Sequence, residues 1–387
     1  MKRISFVFTF FLLVILACSD KSLVTSAEEN LSLPNEPYAY DKLSLPVGSS
    51  IAGSFDDFTI DNNVVTFSNN KTEITPWGAT LGRVLFYDKK LSLNNTVSCA
   101  SCHHQEKAFA DGLQFSTGFE GRVTTRNSMA IVNPILQNNL FWDSRSKTIH
   151  DLSLQPVQNH IEMGMEDLNR LVSKLENTEY YKTLFKKAFG TNEINPTNIS
   201  KALSQFVASI TTSRSRFDAG SINNFNNFSE LEKMGMELFN SDKAKCSSCH
   251  GGGNMSALDG PNDPYGGGGS FSAVQDLRGA TNIGLDIVYK DNGLGNGKFK
   301  IPSLRNIELT GPYMHDGRFK TLEEVVNHYT NGIKPHQHLD VKFTDGKGNV
   351  KPLNLNSIEK KAIIAFLKTL TDQEMTKDPK WSNPFRS

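Results

Sequence analysis

The chain has 387 residues, with 41 Lys and Arg against 41 Asp and Glu, so its formal net charge is zero. Nothing in that balance suggests nucleic acid, and no nucleic-acid partner is expected. Of the five cysteines, four fall in two short motifs and the fifth is Cys18, which leaves none for a disulfide framework.

Lys2 and Arg3 precede an apolar run from Phe6 to Leu16, broken only by Thr9. Residues 1–17 therefore read as a signal peptide, ending at Ile15-Leu16-Ala17-Cys18. The run is shorter than the ~20 apolar residues of a membrane span, and the polar Ser19-Asp20-Lys21-Ser22 follows at once. A cysteine at the cleavage point resembles the lipobox of bacterial lipoproteins. On that resemblance Cys18 is lipidated, and the protein is exported to the periplasm and anchored to a bacterial membrane by lipid alone. Residues 18–70 are rich in Ser, Asn, Asp and Pro without sustained periodicity, and read as a flexible tether.

The remainder divides into two halves, 71–228 and 229–387, that begin alike. Gly82-Arg-Val-Leu85-Phe86 leads into Cys99-Ala-Ser-Cys102-His103, and Gly235-Met-Glu-Leu238-Phe239 leads into Cys246-Ser-Ser-Cys249-His250. In each half a short amphipathic helix carries Gly-x-x-Leu-Phe, its glycine letting a second helix approach closely. Cys-x-x-Cys-His is an attachment site for c-type haem: the thiols form thioethers with the vinyl groups and the histidine becomes an axial iron ligand. Cys-x-x-Cys alone is also half of a zinc site. Two copies, each followed directly by histidine, predict two covalent haems. Export agrees with this cofactor, because c-type haem is attached outside the bacterial cytoplasm.

Between the motifs, Met165 to Phe189 and Ile199 to Ile210 have helical periodicity. After the second motif come glycine-rich stretches at Gly251 to Gly253, Gly266 to Gly269 and Asn292 to Gly297. They lack the Gly-Lys-Ser/Thr of a phosphate loop and read as loops over the second haem or facing a partner. A closing helix follows, with Leu355, Ile358, Ala362, Ile363, Phe366, Leu367 and Leu370 on one face. The expected fold is mainly α, with two cytochrome c-like haem domains in tandem.

These segments together resemble the bacterial di-haem cytochrome c peroxidase and MauG family. The likeness runs from about Leu81 to Leu370 and rests on Leu81-Gly-Arg-Val-Leu-Phe-Tyr-Asp88, Arg126-Asn127, Phe141-Trp142-Asp143, Ile161-Glu162-Met163, Pro302-Ser-Leu-Arg-Asn306 and Pro312-Tyr-Met-His-Asp-Gly317. The resemblance implies that the first haem, with Cys99, Cys102 and proximal His103, is the peroxide site. It makes the second, with Cys246, Cys249 and His250, an electron relay. Glu162 matches the distal glutamate that moves a proton between the peroxide oxygens, and Pro156 matches a pocket proline. Trp142 matches the tryptophan between the haems, where core packing is the alternative reading. Asn127, Thr310 and Pro312 match a calcium site between the haems, as one side-chain oxygen and two carbonyls.

Two positions depart from the typical peroxidases. Phe119, in Ser116-Thr-Gly-Phe119-Glu-Gly121, stands where a histidine would cap the first haem, and His104 is too near its motif to reach the opposite haem face. The first haem is thereby expected to be open without reductive activation. Tyr329 stands where the relay haem would take a methionine, as in the MauG branch; Met314 and His328 are its competitors. The expected activity is reduction of hydrogen peroxide with electrons from a small donor protein such as cytochrome c or a cupredoxin, with homodimer assembly open. A MauG-like oxidation of a protein or small molecule is the alternative, and a non-enzymatic di-haem electron carrier a third.

Overall fold

The computed structural model describes residues 31–47, 58–61, 64–67, 74–137, 139–252, 254–255 and 279–385. The expected signal peptide, Cys18, Gly253 and Gly266 to Gly269 lie outside the described residues. Among the described residues the helices are α1 (Pro76–Tyr87), α2 (Ile149–Ser153), α3 (Gln155–Gln158), α4 (Leu168–Glu176), α5 (Glu179–Phe189), α6 (Pro196–Ala208), α7 (Arg216–Ser221), α8 (Glu230–Asn240), α9 (Leu322–Asn327) and α10 (Ser357–Lys368). The strands are short: β1 (Leu43–Ser44), β2 (Phe58–Asp61), β3 (Val64–Phe67), β4 (Ala280–Thr281) and β5 (Phe299–Lys300). β1, β3 and β2 form one antiparallel sheet, with Leu43 opposite Val65; β4 and β5 pair with Ala280 opposite Lys300. The protein is mainly helical, as expected. No helix among the described residues is long and apolar enough to cross a membrane.

The duplication seen in the sequence is a duplicated helix crossing. α1 starts at the Thr75 cap, whose side chain accepts from the Gly78 N–H, with Pro76 in its first turn. It lies so close to α6 that a Cβ on Gly82 would stand 1.9 Å from the Ala202 carbonyl oxygen. α8 meets α10 the same way: a Cβ on Gly235 would stand 1.9 Å from the Ala362 carbonyl oxygen. Phe206 flanks the first crossing and Phe366 the second, at 2.7 and 2.9 Å from the same hypothetical atoms. The glycine spacing thus fixes one packing geometry twice.

The helical stretch 165–189 is split. Asn177 Nδ2 donates to the Ser173 carbonyl and Thr178 Oγ1 to the Lys174 carbonyl, ending α4 before α5 begins. Two main cores result. Phe86, Phe109, Tyr181, Phe185 and Phe206 belong to the first, and Phe239, Phe366 and Leu370 to the second. The second core starts earlier than residue 229, because Phe217 and Phe228 are buried within it.

Two segments correct the expected organisation. Residues 31–47, read as part of a free tether, pack on the first half: Tyr40, Leu43 and Leu45 are buried there, and the Ser32 N–H donates to the Pro384 carbonyl at 2.7 Å. Their apolar side chains are sparse in a polar stretch, so periodicity does not reveal them. The C-terminal residues, assigned to the second half, also return to the first core, where Met375 and Trp381 are buried. Arg83 Nε donates to the Ser382 carbonyl at 2.6 Å, Tyr87 Oη to the Trp381 carbonyl at 2.7 Å, and Gln105 Nε2 to the carbonyls of Met375 and Asp378.

Candidate active site

Each Cys-x-x-Cys-His begins with a single helical turn, Cys99–Ser101 and Cys246–Ser248. The His103 N–H bonds the Cys99 carbonyl at 3.1 Å, and the His250 N–H bonds the Cys246 carbonyl at 2.9 Å. Both imidazoles are then fixed from behind. His103 Nδ1 lies 2.8 Å from the Phe109 carbonyl oxygen, and His250 Nδ1 lies 3.1 Å from that of Pro302. A carbonyl only accepts, so Nδ1 carries the proton and Nε2 keeps the lone pair a metal needs. Ala108 and Phe109 both have left-handed φ, 52° and 58°, a turn that aims the first of these carbonyls. Burial holds both imidazoles neutral, lowering His103 and bringing His250 to about 4.

None of the four motif cysteines is joined in a disulfide. Burial pushes Cys99 up to about 12, Cys102 to about 11 and Cys246 to about 12, and raises Cys249. Neutral thiols in apolar surroundings suit attachment to an apolar macrocycle.

Beside the first motif stands Glu162, near enough to Cys99 and Cys102 to contribute to raising both. Asn159 builds its turn. That side chain accepts from the Ile161 N–H at 2.8 Å and donates to Glu162 Oε1 at 3.0 Å, and the Asn159 carbonyl accepts from Met163 and Gly164. Pro156, in the first turn of α3, contributes its carbonyl to the Asn159 N–H at 3.3 Å. Burial raises the Glu162 carboxyl, and the positive charge of Arg145 opposes the rise. Arg145 lies over the Phe141 ring at 3.5 Å and bonds Asp143 at 2.9 Å and Gln155 at 3.2 Å. Asp143 also pairs with Arg126 at 2.6 Å, and Arg126 reaches Asp291 at 2.6 and 2.8 Å, joining the two halves.

The second motif opens on a cavity of about 210 Å³. Cys246, Cys249, His250, Tyr329 and Met314 line it, and so do Trp142, Asn127, Thr310 and Pro312 from the junction of the halves. Trp142 comes from the first half, yet its carbonyl accepts from the Lys300 N–H at 2.8 Å and its indole donates to the Asn127 carbonyl at 2.9 Å. Asn127 in turn donates its backbone N–H to the His315 carbonyl at 2.7 Å. Trp142 and the three residues expected to hold calcium therefore line the same cavity. Among the described residues no cluster of three acidic, histidine or cysteine side chains accompanies them.

Tyr329 sits in a single wide turn, His328–Gly332, that follows α9; such turns are frequent at functional sites. Burial, with Cys249 and Cys246 nearby, raises its phenol, so it stays protonated until a cation displaces the proton. Met314, at φ 74°, faces the same cavity. His328 does not line it, and its Nε2 lies 3.0 Å from the Ile283 carbonyl. Sequence reasoning gave no weight to two other wall residues, His315 and Lys300, both buried. His315 stacks on Phe299 at 3.6 Å and its buried Nδ1 has no hydrogen-bond partner. An apolar cavity with thiols and an imidazole at one end and polar groups on its wall fits a haem with its carboxylates.

Comparison with known proteins agrees. The family profile described as di-haem cytochrome c peroxidase matches residues 76–224. Cytochrome c551 peroxidase of Nitrosomonas europaea is 30% identical over 303 residues, covering 76% of this chain and 80% of the relative. The chain belongs to the di-haem cytochrome c peroxidase family. Family membership implies two c-type haems, which the residues at both motifs fit. Methylamine utilization protein MauG of Methylophilus methylotrophus is 29% identical over 293 residues, covering 76% of this chain and 82% of that protein. The crystal structure of a MauG-like protein associated with microbial copper homeostasis superposes with a TM-score of 0.69 at 33% identity, over 82% of this chain and 96% of that one. The di-haem peroxidase BthA from Burkholderia thailandensis shares the fold, with a TM-score of 0.61 at 20% identity over 89% of this chain and all of its own.

Proposed function

We propose that this di-haem family member is an exported peroxidase that reduces hydrogen peroxide to water with electrons from a small donor protein such as cytochrome c or a cupredoxin. The observation that carries this reading is the half-buried Glu162 held by Asn159 beside Cys99 and Cys102, on a loop bonded to Phe119 rather than to a ligating histidine. When bound, the haems supply iron that accepts and releases the two electrons. Cys99, Cys102 and His103 would hold the first, and Cys246, Cys249 and His250, with Tyr329 lining the same cavity, the second. Glu162, as carboxylate, takes the proton from one peroxide oxygen and returns it to the other, so that the departing oxygen leaves as water. Trp142 links the two sites for electrons, which its contacts with both halves support. Asn127, Thr310 and Pro312 offer oxygens for one calcium ion at the junction. Lipidation of Cys18 would hold the enzyme on the membrane, and Cys18→Ser should release it in soluble form.

A second reading is favoured by Tyr329 on the cavity wall. A MauG-like enzyme would use peroxide equivalents to oxidise a protein or small-molecule substrate. Steady-state peroxide consumption with reduced cytochrome c, compared with consumption in the presence of candidate partner proteins, separates the two. Failure to consume peroxide with every donor would remove both.

A further inference from the structure

Away from both candidate haem sites, α1 ends on a carboxylate that two phenols share. Asp88 is fully buried, and its Oδ2 accepts from Tyr181 Oη at 2.7 Å and from Tyr180 Oη at 2.8 Å. Its other oxygen accepts the Lys90 N–H at 2.8 Å. Tyr181 is fully buried and Tyr180 half-buried, with ring centroids 4.7 Å apart. Backbone donors would satisfy a capping aspartate, so two phenols on one oxygen are more than the cap needs. Three other phenols donate to backbone carbonyls instead. Tyr87 donates to the Trp381 carbonyl, Tyr313 to the Ile307 carbonyl and Tyr40 to the Lys380 carbonyl, none of which takes up a proton.

The pair lies close to the first motif. Asp88 is two residues beyond Phe86, a span of at most ~7 Å, and the Phe86 ring is 6.4 Å from the His103 imidazole. Five residues further on, the Leu93 N–H bonds the Met163 carbonyl, next to Glu162. Burial keeps the Tyr181 phenol protonated, well above its ordinary range, with the Asp88 charge adding to the effect. A buried phenol of this kind gives up an electron only if its proton has somewhere to go.

We propose that Tyr181 is a redox-active tyrosine with Asp88 as its proton acceptor, taking one oxidising equivalent from the first haem site and passing it through Tyr180 to a one-electron donor at the surface. The inference rests on the peroxidase reading for the origin of that equivalent. One electron leaves Tyr181 for the oxidised first site, the phenolic O–H breaks, and the proton joins Asp88 Oδ2, leaving a neutral tyrosyl radical. Tyr180 then gives an electron to that radical. The Asp88 proton returns to Tyr181, and the Tyr180 proton takes its place on the carboxylate. The external donor reduces Tyr180, which recovers its proton from Asp88.

Rapid-freeze paramagnetic resonance of the oxidised full-length holoprotein after mixing with hydrogen peroxide tests this. A tyrosyl radical is expected, forming more slowly in D2O. Tyr181→Phe, which removes one oxygen, should abolish it with unchanged haem spectra. Asp88→Asn, which can still accept the Lys90 N–H but cannot take the proton, should suppress it. Tyr180→Phe should keep the radical and lengthen its life in the presence of ascorbate. Peroxide consumption without a tyrosyl radical, or the same radical in Tyr181→Phe, overturns the inference and leaves the peroxidase reading standing. A second arm uses photogenerated ruthenium(III) tris-bipyridine in place of peroxide. If peroxide is not consumed, the peroxidase reading falls. The ruthenium arm then supports Tyr181 if the Phe variant loses tyrosyl signal, and overturns it if wild type and variant give the same signal.

Discussion

The backbone N–H of Phe119 donates to the carbonyl oxygen of Glu162 at 2.8 Å. The loop that would carry a capping histidine in typical relatives is thereby welded to the loop carrying the candidate distal carboxylate. The fit is close on both sides: a Cβ on Gly118 would stand 2.1 Å from the Ile161 carbonyl oxygen, and one on Gly164, at φ 68°, would stand 2.7 Å from the Phe119 ring. With phenylalanine there, the holoprotein as isolated should show a high-spin ferric haem beside a low-spin one and respond to peroxide without prior reduction. A fully low-spin oxidised protein that needs one electron before it responds would refute this.

Glu162→Gln should lower kcat for peroxide by about 10²–10⁴-fold, the usual range for losing a positioned acid–base group. The pH profile adds a sharper test. Burial raises the Glu162 carboxyl and Arg145 opposes it. The carboxylate is the form that accepts the proton, so activity should be present above the raised pKa and fall as pH drops through it. Arg145→Ala removes the opposing charge and should move the acidic limb to higher pH, whereas Arg145→Lys should move it less.

Tyr329→Phe should alter the spectrum of the second haem by removing an anionic oxygen with little change in volume. Met314→Leu should leave that spectrum as it is. The reverse pattern would make Met314 the ligand, and potentiometry on Tyr329→Met would then show no rise in the potential of that haem.

Gly235→Ala should destabilise the second half, because the new methyl meets the Ala362 carbonyl across α8 and α10. Overpacking of this kind costs about 1–3 kcal/mol, set against roughly 1 kcal/mol of gained helix propensity. Thermal denaturation followed at each haem band should show the second haem's environment lost first. Gly82→Ala should shift the loss to the first.

Much of this architecture was legible because it is local in sequence. Gly82 and Gly235 open matched Gly-x-x-Leu-Phe segments ahead of their motifs, and each does mark a helix crossing. The histidine acceptors were not legible, since Pro302 lies 52 residues from His250 and nothing in either segment announces the pairing. Arg145 was missed because its effect on Glu162 acts through space, and His315 because a lone histidine inside a signature loop reads as part of the loop. Tyr40 and Trp381 were misassigned for a related reason. Each stands among sparse apolar side chains in a polar stretch, with hydrogen-bond partners far away in sequence.

The burial of Trp381 in the first core bears on the order in which the interior can close. Residues 375–382 bond Arg83, Tyr87 and Gln105 from 270–299 residues away in sequence. The first half therefore cannot complete its interior from its own stretch of chain, and its closure waits on a segment that follows the second half.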